Sequence, residues 1–600
     1  MNETLGVVSL DDAQKAVVDA PVEARLLVMA GPGTGKTRTL LARAEQLIDQ
    51  EELDQAYDLL IISFSRAAVK TVARRIDSET DLGRLRVMTI DSLASRILMG
   101  AGRRLGMATF DERIDAARTA LEEDPPGVAD LLPERHVLVD EAQDIVGVRG
   151  TFVKALLDRV CSAPDAGFTV FGDPAQAIYD FQLKDGSPRV RLIDLLAADD
   201  VIGTVEVQLT TNHRMLSARL IDLAKRFGEQ LRHPDEATNW ADVQLEIEAE
   251  IALEEGWASA ATAGARIKAV LERPGNPRVA VLTRNNTEAL RLGMRLQREG
   301  LDVAVQHRLE ERGGAPWLAL VFGGAQLNEV KVPADLVLEG IPAWLEPPAE
   351  IRRTLRDAQV AQKGTVDLRQ LATMLRSGAC PEELVARRDA AVTVSTIHRA
   401  KGLEFDSVFV VQNRGETVES SLEEARIVYV AATRARAELL RGAPLTDQGE
   451  MANLPHGRVG IGATRWRLQY LEVKVSDSDP DWAPDDRAAF DRWQQFLIEG
   501  VKPGDIARLD LRDDSSWSNP IYDIVHIDGD GEQTVVGRTS WAFGKAIHDH
   551  VGGAPPKAIT GLVADIPDTV VTGPESADRL GLGEHGFHLR ARVYGLAWMS

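Results

Sequence analysis

The chain has 600 residues, 44% hydrophobic and 27% charged, the balance of an ordinary water-soluble globular protein of about three or four domains. No apolar run approaches a membrane span, the start MNETLGVVSLDD carries no basic, apolar leader, and two cysteines, Cys161 and Cys380, exclude a disulfide framework or a cysteine zinc site. These features predict a reducing cytoplasm. The net charge of −23 counts against nucleic acid as a partner, since non-specific binding comes from Lys and Arg neutralising phosphates; a local basic groove on an acidic body is still allowed.

In chain order, Ser9-Leu10-Asp11-Asp12-Ala13-Gln14-Lys15 reads as a helix start with an acidic first turn. Gln14 is either a surface residue of that helix or an amide whose donor and acceptor match an adenine edge. The apolar run Leu26 to Met29 then feeds Ala30-Gly31-Pro32-Gly33-Thr34-Gly35-Lys36-Thr37, and a helical pattern follows over Thr39 to Leu47. Strand, glycine loop and helix together are what a phosphate cradle needs, although Ala30 stands where the strict pattern has its first glycine. Gly31, Gly33, Thr34 and Gly35 allow backbone N–H groups to turn inward, Lys36 reaches the β/γ-phosphates of a nucleotide, and Thr37 offers a hydroxyl to Mg²⁺.

Further buried strands follow at Asp58 to Phe64, at Val87 to Ile90 with Asp91 or Ser92 capping the next helix, and at His136 to Val139. A helix with Lys70, Arg74 and Arg75 is expected over Ala67 to Ile76. The strand at 136–139 runs into Asp140-Glu141-Ala142-Gln143-Asp144, where Asp140 is placed to hold Mg²⁺ and Glu141 to polarise a water for attack on the γ-phosphate. Phe168 to Phe171 leads into Gly172-Asp173-Pro174-Ala175-Gln176-Ala177-Ile178-Tyr179-Asp180-Phe181. Gln176 there can sense the γ-phosphate, while Tyr179 and Phe181 either stack on bases or simply pack. Strands alternating with helices predict a doubly wound α/β core.

A second α/β series starts at Val205 to Leu209 and Thr210-Thr211-Asn212-His213-Arg214 and continues through Val279 to Thr283 and a helix to about Arg298. Val392 to Phe405, a strand at Val408 to Val411 and a helix over Arg426 to Arg436 complete it. With no second glycine loop, this core is expected to supply residues to one shared nucleotide.

The segments SLDDAQ, AGPGTGKT, SFSRAA, MTIDSLA, VDEAQD, GDPAQAIYDF, TTNHRM, STIHRAKGLEF and YVAATRAR, in this order over about residues 8–440, resemble the superfamily 1A DNA helicases of the UvrD/Rep type. The resemblance implies an α/β fold of two RecA-like P-loop NTPase-type domains with parallel sheets, small inserted helical subdomains and a β-rich C-terminal domain. Residues 1–200 would form the first RecA-like domain with a short insertion at about 101–133. Residues 201–306 and 390–450 would form the second, 307–389 a reduced insertion, and 464–600 the C-terminal domain. By matching position, Gln14 would read adenine, Arg38 and His213 (tyrosine in most relatives) would flank base and phosphates, and Gly402 and Glu404 would lie at the nucleotide, Glu404 on the ribose. Arg214 and Arg434 would be arginine fingers. Phe64, Ser92, Tyr179, Phe181 and His398 would face DNA. The sequence departs from the family's pattern at Ser65-Arg66 and at Asp91, which stands where relatives carry histidine.

The implied activity is ATP- and Mg²⁺-dependent translocation on single-stranded DNA, 3′ to 5′, at single-strand/duplex junctions, in replication, repair or recombination. An ATP-gated module that binds DNA or docks a partner without unwinding is the alternative, and the acidic balance alone favours an ATPase without nucleic acid. The insertions are small: a helix at Glu112 to Glu123 with Pro125-Pro126 as breaker, and helices near Ile351–Ala361 and Leu368–Ser377. After Leu445 a polar, Gly-rich linker is expected, then strands at Thr464–Lys474, Gly504–Leu511, Ile521–Ile527 with a turn at Asp528–Gly531, and Phe587–Trp598. This tail is expected to be a small β-rich domain, like the Tudor-type tails of some relatives, with its tryptophans in the core and a DNA- or protein-docking role.

Overall fold

The computed structural model describes residues 10–599 apart from 52, 56, 64–84, 104–109, 124–127, 129–130, 134, 180–189, 200, 236, 258, 307–312, 324–329, 334–350, 353, 356–359, 363–364, 378–383, 386–389, 413–420, 446–450, 455–457, 465–466 and 552–553. Phe64, Phe181, Cys380, the helix expected over Ala67–Ile76 and the proline breaker at Pro125-Pro126 lie outside the described residues. The chain divides into two compact units, one of residues 1–255, 397–410 and 414–441, the other of residues 256–396, 411–413 and 442–600.

The first unit is built on a six-stranded sheet of β1 (Arg25–Ala30), β2 (Leu59–Ser63), β3 (Arg86–Thr89), β4 (His136–Asp140), β5 (Gly167–Gly172) and β6 (Val205–Leu209), in the order β3-β2-β4-β5-β1-β6. Every neighbouring pair is parallel. Runs such as Leu59-Leu60-Ile61-Ile62 and Val137-Leu138-Val139 are buried without alternation, because a parallel sheet covered by helices hides both faces of its inner strands. β6 is the edge, and its Val205 and Glu206 are exposed. The helix Lys36–Glu51 leaves β1 directly, so the expected strand–loop–helix is present. Phe152, Phe168, Leu156 and Ile97 lie in the cluster on one side of the sheet, Val28, Leu40, Ala44 and Phe171 in that on the other.

Three expectations fail in this unit. Val205–Leu209, expected to open the second α/β series, is instead the sixth strand of this sheet, parallel to β1. The helix after β3 spans Ile90–Gly100 and is capped by Thr89, whose Oγ1 accepts from the Ser92 backbone N–H at 3.2 Å, so neither Asp91 nor Ser92 is the cap. Thr89 is also the last strand residue, and its β-branched side chain serves both roles. The helix expected over Arg426–Arg436 spans Leu422–Ala432, and Ala435–Gly442 is a strand. Thr433 and Arg434 form the turn between them, since the buried run Ala435, Leu439, Leu440 continues as sheet.

In the second unit Val392–Thr396 lies between Val279–Thr283 and Val303–Val305, parallel to both. The helix Asn286–Arg298 follows the strand at 279–283. The insertion carries the helices Pro316–Phe322 and Leu368–Arg376 and a three-stranded antiparallel sheet of 331–333, 365–367 and 361–362. Residues 361–362 are thus strand where the sequence suggests the end of a helix.

The tail is an eight-stranded antiparallel sheet, ordered 451–454, 458–464, 467–473, 587–599, 558–571, 506–511, 522–527, 533–538. The expected turn at Asp528–Gly531 joins the pair Tyr522–Ile527 and Gln533–Arg538. The expected linker is instead largely sheet: Met451–Leu454 is the edge strand and pairs with Arg458–Thr464, which pairs in turn with Arg467–Val473 despite its glycines. Trp493 is core and donates its indole N–H to Val536 O, but Trp517, Trp541 and Trp598 are exposed, against expectation. Phe587 and Val571 of the tail share a cluster with Trp317 and Phe322 of the insertion, and Tyr594 and Leu596 share another with Leu290 and Met294. The tail and the insertion therefore fold as one body. No helix among the described residues is long and apolar enough to cross a membrane.

Candidate active site

The site of the first unit gathers at the carboxyl ends of β1, β4, β5 and β6, where an open parallel sheet presents its loops. After β1, Gly33 (φ 80°) and Gly35 (φ 82°) adopt the left-handed backbone that glycine tolerates, and Thr34 folds the loop back through its Oγ1, 2.9 Å from Gly31 O. A Cβ on Gly33 would lie 2.6 Å from Asn212 Nδ2, and one on Gly35 would lie 2.5 Å from Gln14 Nε2. Side chains thus stand so close against both glycines that a Cβ at either position would not fit.

Lys36 Nζ donates to Glu141 Oε2 at 2.8 Å, with both side chains largely covered. Burial pushes the Glu141 carboxyl up, but Lys36 and then Lys401 outweigh it and hold it below the usual carboxylate range. Gln143 Nε2 also donates to Glu141 Oε2. Glu141 itself sits at φ 53°, ψ 44°, left-handed backbone that costs a non-glycine residue about 1 kcal/mol or more and that recurs at functional turns. Asp140, at the end of β4, is buried, and its Oδ1 accepts from the Glu141 N–H at 2.9 Å. Thr37, in the first turn of the helix after the loop, and Asp140 are hard oxygen donors of the type that fits Mg²⁺.

Gln176, after β5, is a junction. Its Nε2 donates to Asp173 Oδ2 at 2.7 Å, its Oε1 accepts from Arg434 Nη2 at 2.9 Å, and its backbone carbonyl accepts from Lys401 Nζ at 2.5 Å. Arg434 is buried and also donates Nε to Val430 O and Nη1 to Leu403 O; burial and the nearby Arg214 draw its pKa down to about 10. Arg214 bonds Glu404 Oε1 at 3.0 Å and Thr433 O at 2.7 Å, so both expected fingers meet around the 433–434 turn. Lys401 also pairs with Asp144 Oδ1 at 2.5 Å, while burial pushes the Asp144 carboxyl up to about 6.

Gln14 is fully buried and not a surface residue: Oε1 accepts from the Asp11 N–H, and Nε2 donates to Thr34 O at 3.0 Å, which ties the first helix to the loop. His213 Nε2 meets Asp11 Oδ2 at 2.8 Å, and its backbone N–H donates to Gly33 O. Arg38 is half-buried on the first turn after the loop. Gly402 is exposed, with φ 79°. Of the residues expected at DNA, Tyr179 is half-buried, donates its hydroxyl to His398 O at 3.0 Å, and has Lys401 Nζ 5.1 Å from its ring centroid. Ser92 lies in the first helical turn after β3, its Oγ 2.9 Å from Thr89 Oγ1.

Several participants carry no local signal. Asp144 and Lys401 lie inside the quoted motifs, but nothing in their spacing pairs them. Arg232 ends the helix Ala218–Arg232 outside every motif, yet its Nε bonds Asp173 Oδ1 at 2.9 Å. A basic residue in the last turn of a helix reads as a helix-dipole partner, which conceals this role.

A family model of the UvrD/REP helicase N-terminal domain matches residues 10–124 and 106–187, and one of the UvrD-like helicase C-terminal domain matches residues 349–441. ATP-dependent DNA helicase UvrD2 of Mycobacterium tuberculosis is 27% identical over 392 residues, 57% of this chain and 52% of that protein. DNA helicase II of Escherichia coli is 37% identical over 92 residues, 15% of this chain and 12% of that protein, and a probable DNA helicase II homolog of Rickettsia conorii is 32% identical over 111 residues, 17% and 16%. The chain thus spans about half the length of UvrD2 and a sixth or less of the other two. The chain thus carries a match to the UvrD/REP helicase N-terminal domain followed by one to the UvrD-like helicase C-terminal domain, and the glycine loop, Asp140-Glu141 and Arg434 of the matched segments lie at one site.

Proposed function

We propose that this chain is an ATP-driven motor that moves along single-stranded DNA from 3′ to 5′. The observation that supports it most is the Gln176 junction, which joins Asp173, Lys401 and Arg434 beside the Lys36–Glu141 pair. Lys36 and the N–H groups of the glycine loop bind the β- and γ-phosphates of ATP. Those phosphates compete with Glu141 for one ammonium. As Lys36 turns to them, Glu141 loses the partner that most depresses its pKa and becomes a better base for the attacking water. Arg434 and Arg214, with Gln176, meet the charge that develops on the transferring phosphoryl group. Mg²⁺, held by Thr37 and Asp140, would supply charge neutralisation at the β/γ bridge.

Coupling to DNA runs through Lys401, which touches Gln176, Asp144 and the face of Tyr179, whose hydroxyl in turn holds the His398 backbone. Tyr179 and His398 would then bear on bases, in the manner of stacking platforms. The short insertions leave little protein to grip duplex, so a monomer should unwind long duplexes poorly. The protein works in the cytoplasm on single-strand/duplex junctions. ATP turnover measured with and without single-stranded DNA at several salt concentrations tests the reading: turnover should rise with DNA and the rise should weaken with salt. Turnover indifferent to DNA would reduce the chain to an ATPase without nucleic acid, and stimulated turnover without movement would make it a gated binding module.

A further inference from the structure

Arg232 lies in a slot that the backbone keeps open for it. A Cβ on Gly31 would lie 2.5 Å from its Nη2, and a Cβ on Gly228 would lie 3.0 Å from the same nitrogen and 2.7 Å from the Tyr429 hydroxyl. Two glycines, one in the phosphate loop and one on the arginine's own helix, thus make room for one guanidinium. Its Nε donates to Asp173 Oδ1 at 2.9 Å, and the Asp173 side chain is fully buried while that of Arg232 is 16% exposed. A buried carboxylate so placed is costly without a cation, so Arg232 pairs with Asp173 and fixes its orientation.

That orientation has a consequence at Gln176. A carboxylate only accepts, so Asp173 Oδ2 selects the Nε2 end of the Gln176 amide, at 2.7 Å. The Oε1 end must then point the other way, to Arg434 Nη2 at 2.9 Å. Guanidinium, carboxylate, amide and guanidinium form one relay in which the first member fixes the polarity of the third. We infer that Arg232 is a positioning residue for phosphoryl transfer: from its slot against Gly31 it orients Gln176, through Asp173, toward Arg434. This rests on the proposed roles of Gln176 and Arg434. The arginine itself touches no substrate, and its effect passes through the amide.

The test is a double-mutant cycle on ATP turnover of the full chain at saturating oligo(dT), with Arg232→Gln, Gln176→Ala and the pair, alongside binding of a fluorescent ADP analogue. Arg232→Gln should lower kcat on the order of ten- to hundredfold with ADP affinity within about threefold, and the double variant should be no more than about twofold slower than Gln176→Ala alone, because residues acting as a unit are not additive. A purely structural arginine would instead give effects that multiply, and that result overturns the inference. Should Arg232→Gln fail to fold, Arg232→Lys keeps the cation but not the Nε donor, and the same cycle decides with it. A wild-type chain that hydrolyses no ATP would overturn both the motor reading and this inference; multiplying effects in an active wild type overturn this inference alone.

Discussion

Lys36 Nζ lies 2.8 Å from Glu141 Oε2, so the cation proposed for the β/γ-phosphates and the carboxylate proposed to activate water hold each other. The pair makes the two residues separable by experiment. Lys36→Ala should abolish ATP turnover, because it removes the charge that binds the phosphates. Glu141→Gln should bind ATP with affinity close to wild type and lose turnover by about a hundredfold or more, leaving a complex stalled on DNA. Filter binding and phosphate release measured on the same samples check both. Near-normal turnover in the Gln variant would remove Glu141 from the chemistry.

Arg434→Lys should lower kcat far more than it weakens nucleotide binding, since the charge matters most in the transition state. Its guanidinium also satisfies Val430 O, Leu403 O and Gln176 Oε1, so Arg434→Ala should in addition lose stability by about 3 kcal/mol or more. Steady-state kinetics and urea unfolding of the two variants separate these effects. A change in affinity with normal maximal rate would reassign Arg434 to ground-state binding.

His136 is a built-in acid sensitivity. Its ring lies between Val22 O and Thr169 Oγ1, and burial, with Arg43 nearby, pushes its pKa down from 6.5 to about 3. Between those values the unfolded chain carries a proton that the folded chain does not, so stability falls as pH falls. One such group gives about 1.4 kcal/mol per pH unit in that window. Urea midpoints from pH 7 to pH 5 should decline, and His136→Gln should flatten the slope by that amount while lowering stability at pH 7.

A chain ending at residue 445 should not fold normally in its second unit. It would lack Phe587 and Val571 from the cluster around Trp317, and Tyr594 and Leu596 from that around Met294. Limited proteolysis should cut it within 256–396 at protease levels that the full chain withstands. An equally resistant truncated chain would make the tail a separable module.

The nucleotide site is largely legible because its chemistry is local: the glycine loop, Asp140-Glu141 and Gln176 each follow a strand whose unbroken apolar run identifies it. What escapes is long-range or double-purposed. Arg232 meets Asp173 from 59 residues away, and no spacing rule connects a helix's last turn to a strand's end. Thr89 caps a helix while still in a strand, so the more familiar Asp91 or Ser92 takes the cap on paper. In the tail, Arg458–Thr464 reads as linker because glycines interrupt its alternation; pairing on both sides makes it sheet. The exposed Trp517 and Trp541 likewise break the rule that large aromatics go inside.

The proposed motor moves in one direction on single-stranded DNA, powered by ATP. That movement is tested most directly by streptavidin displacement from oligonucleotides biotinylated at one end, which reads direction without requiring strand separation. Displacement should be ATP-dependent and from the 5′ end, with none from the 3′ end and none with Lys36→Ala. Displacement only from the 3′ end, or from neither, would contradict the proposed movement.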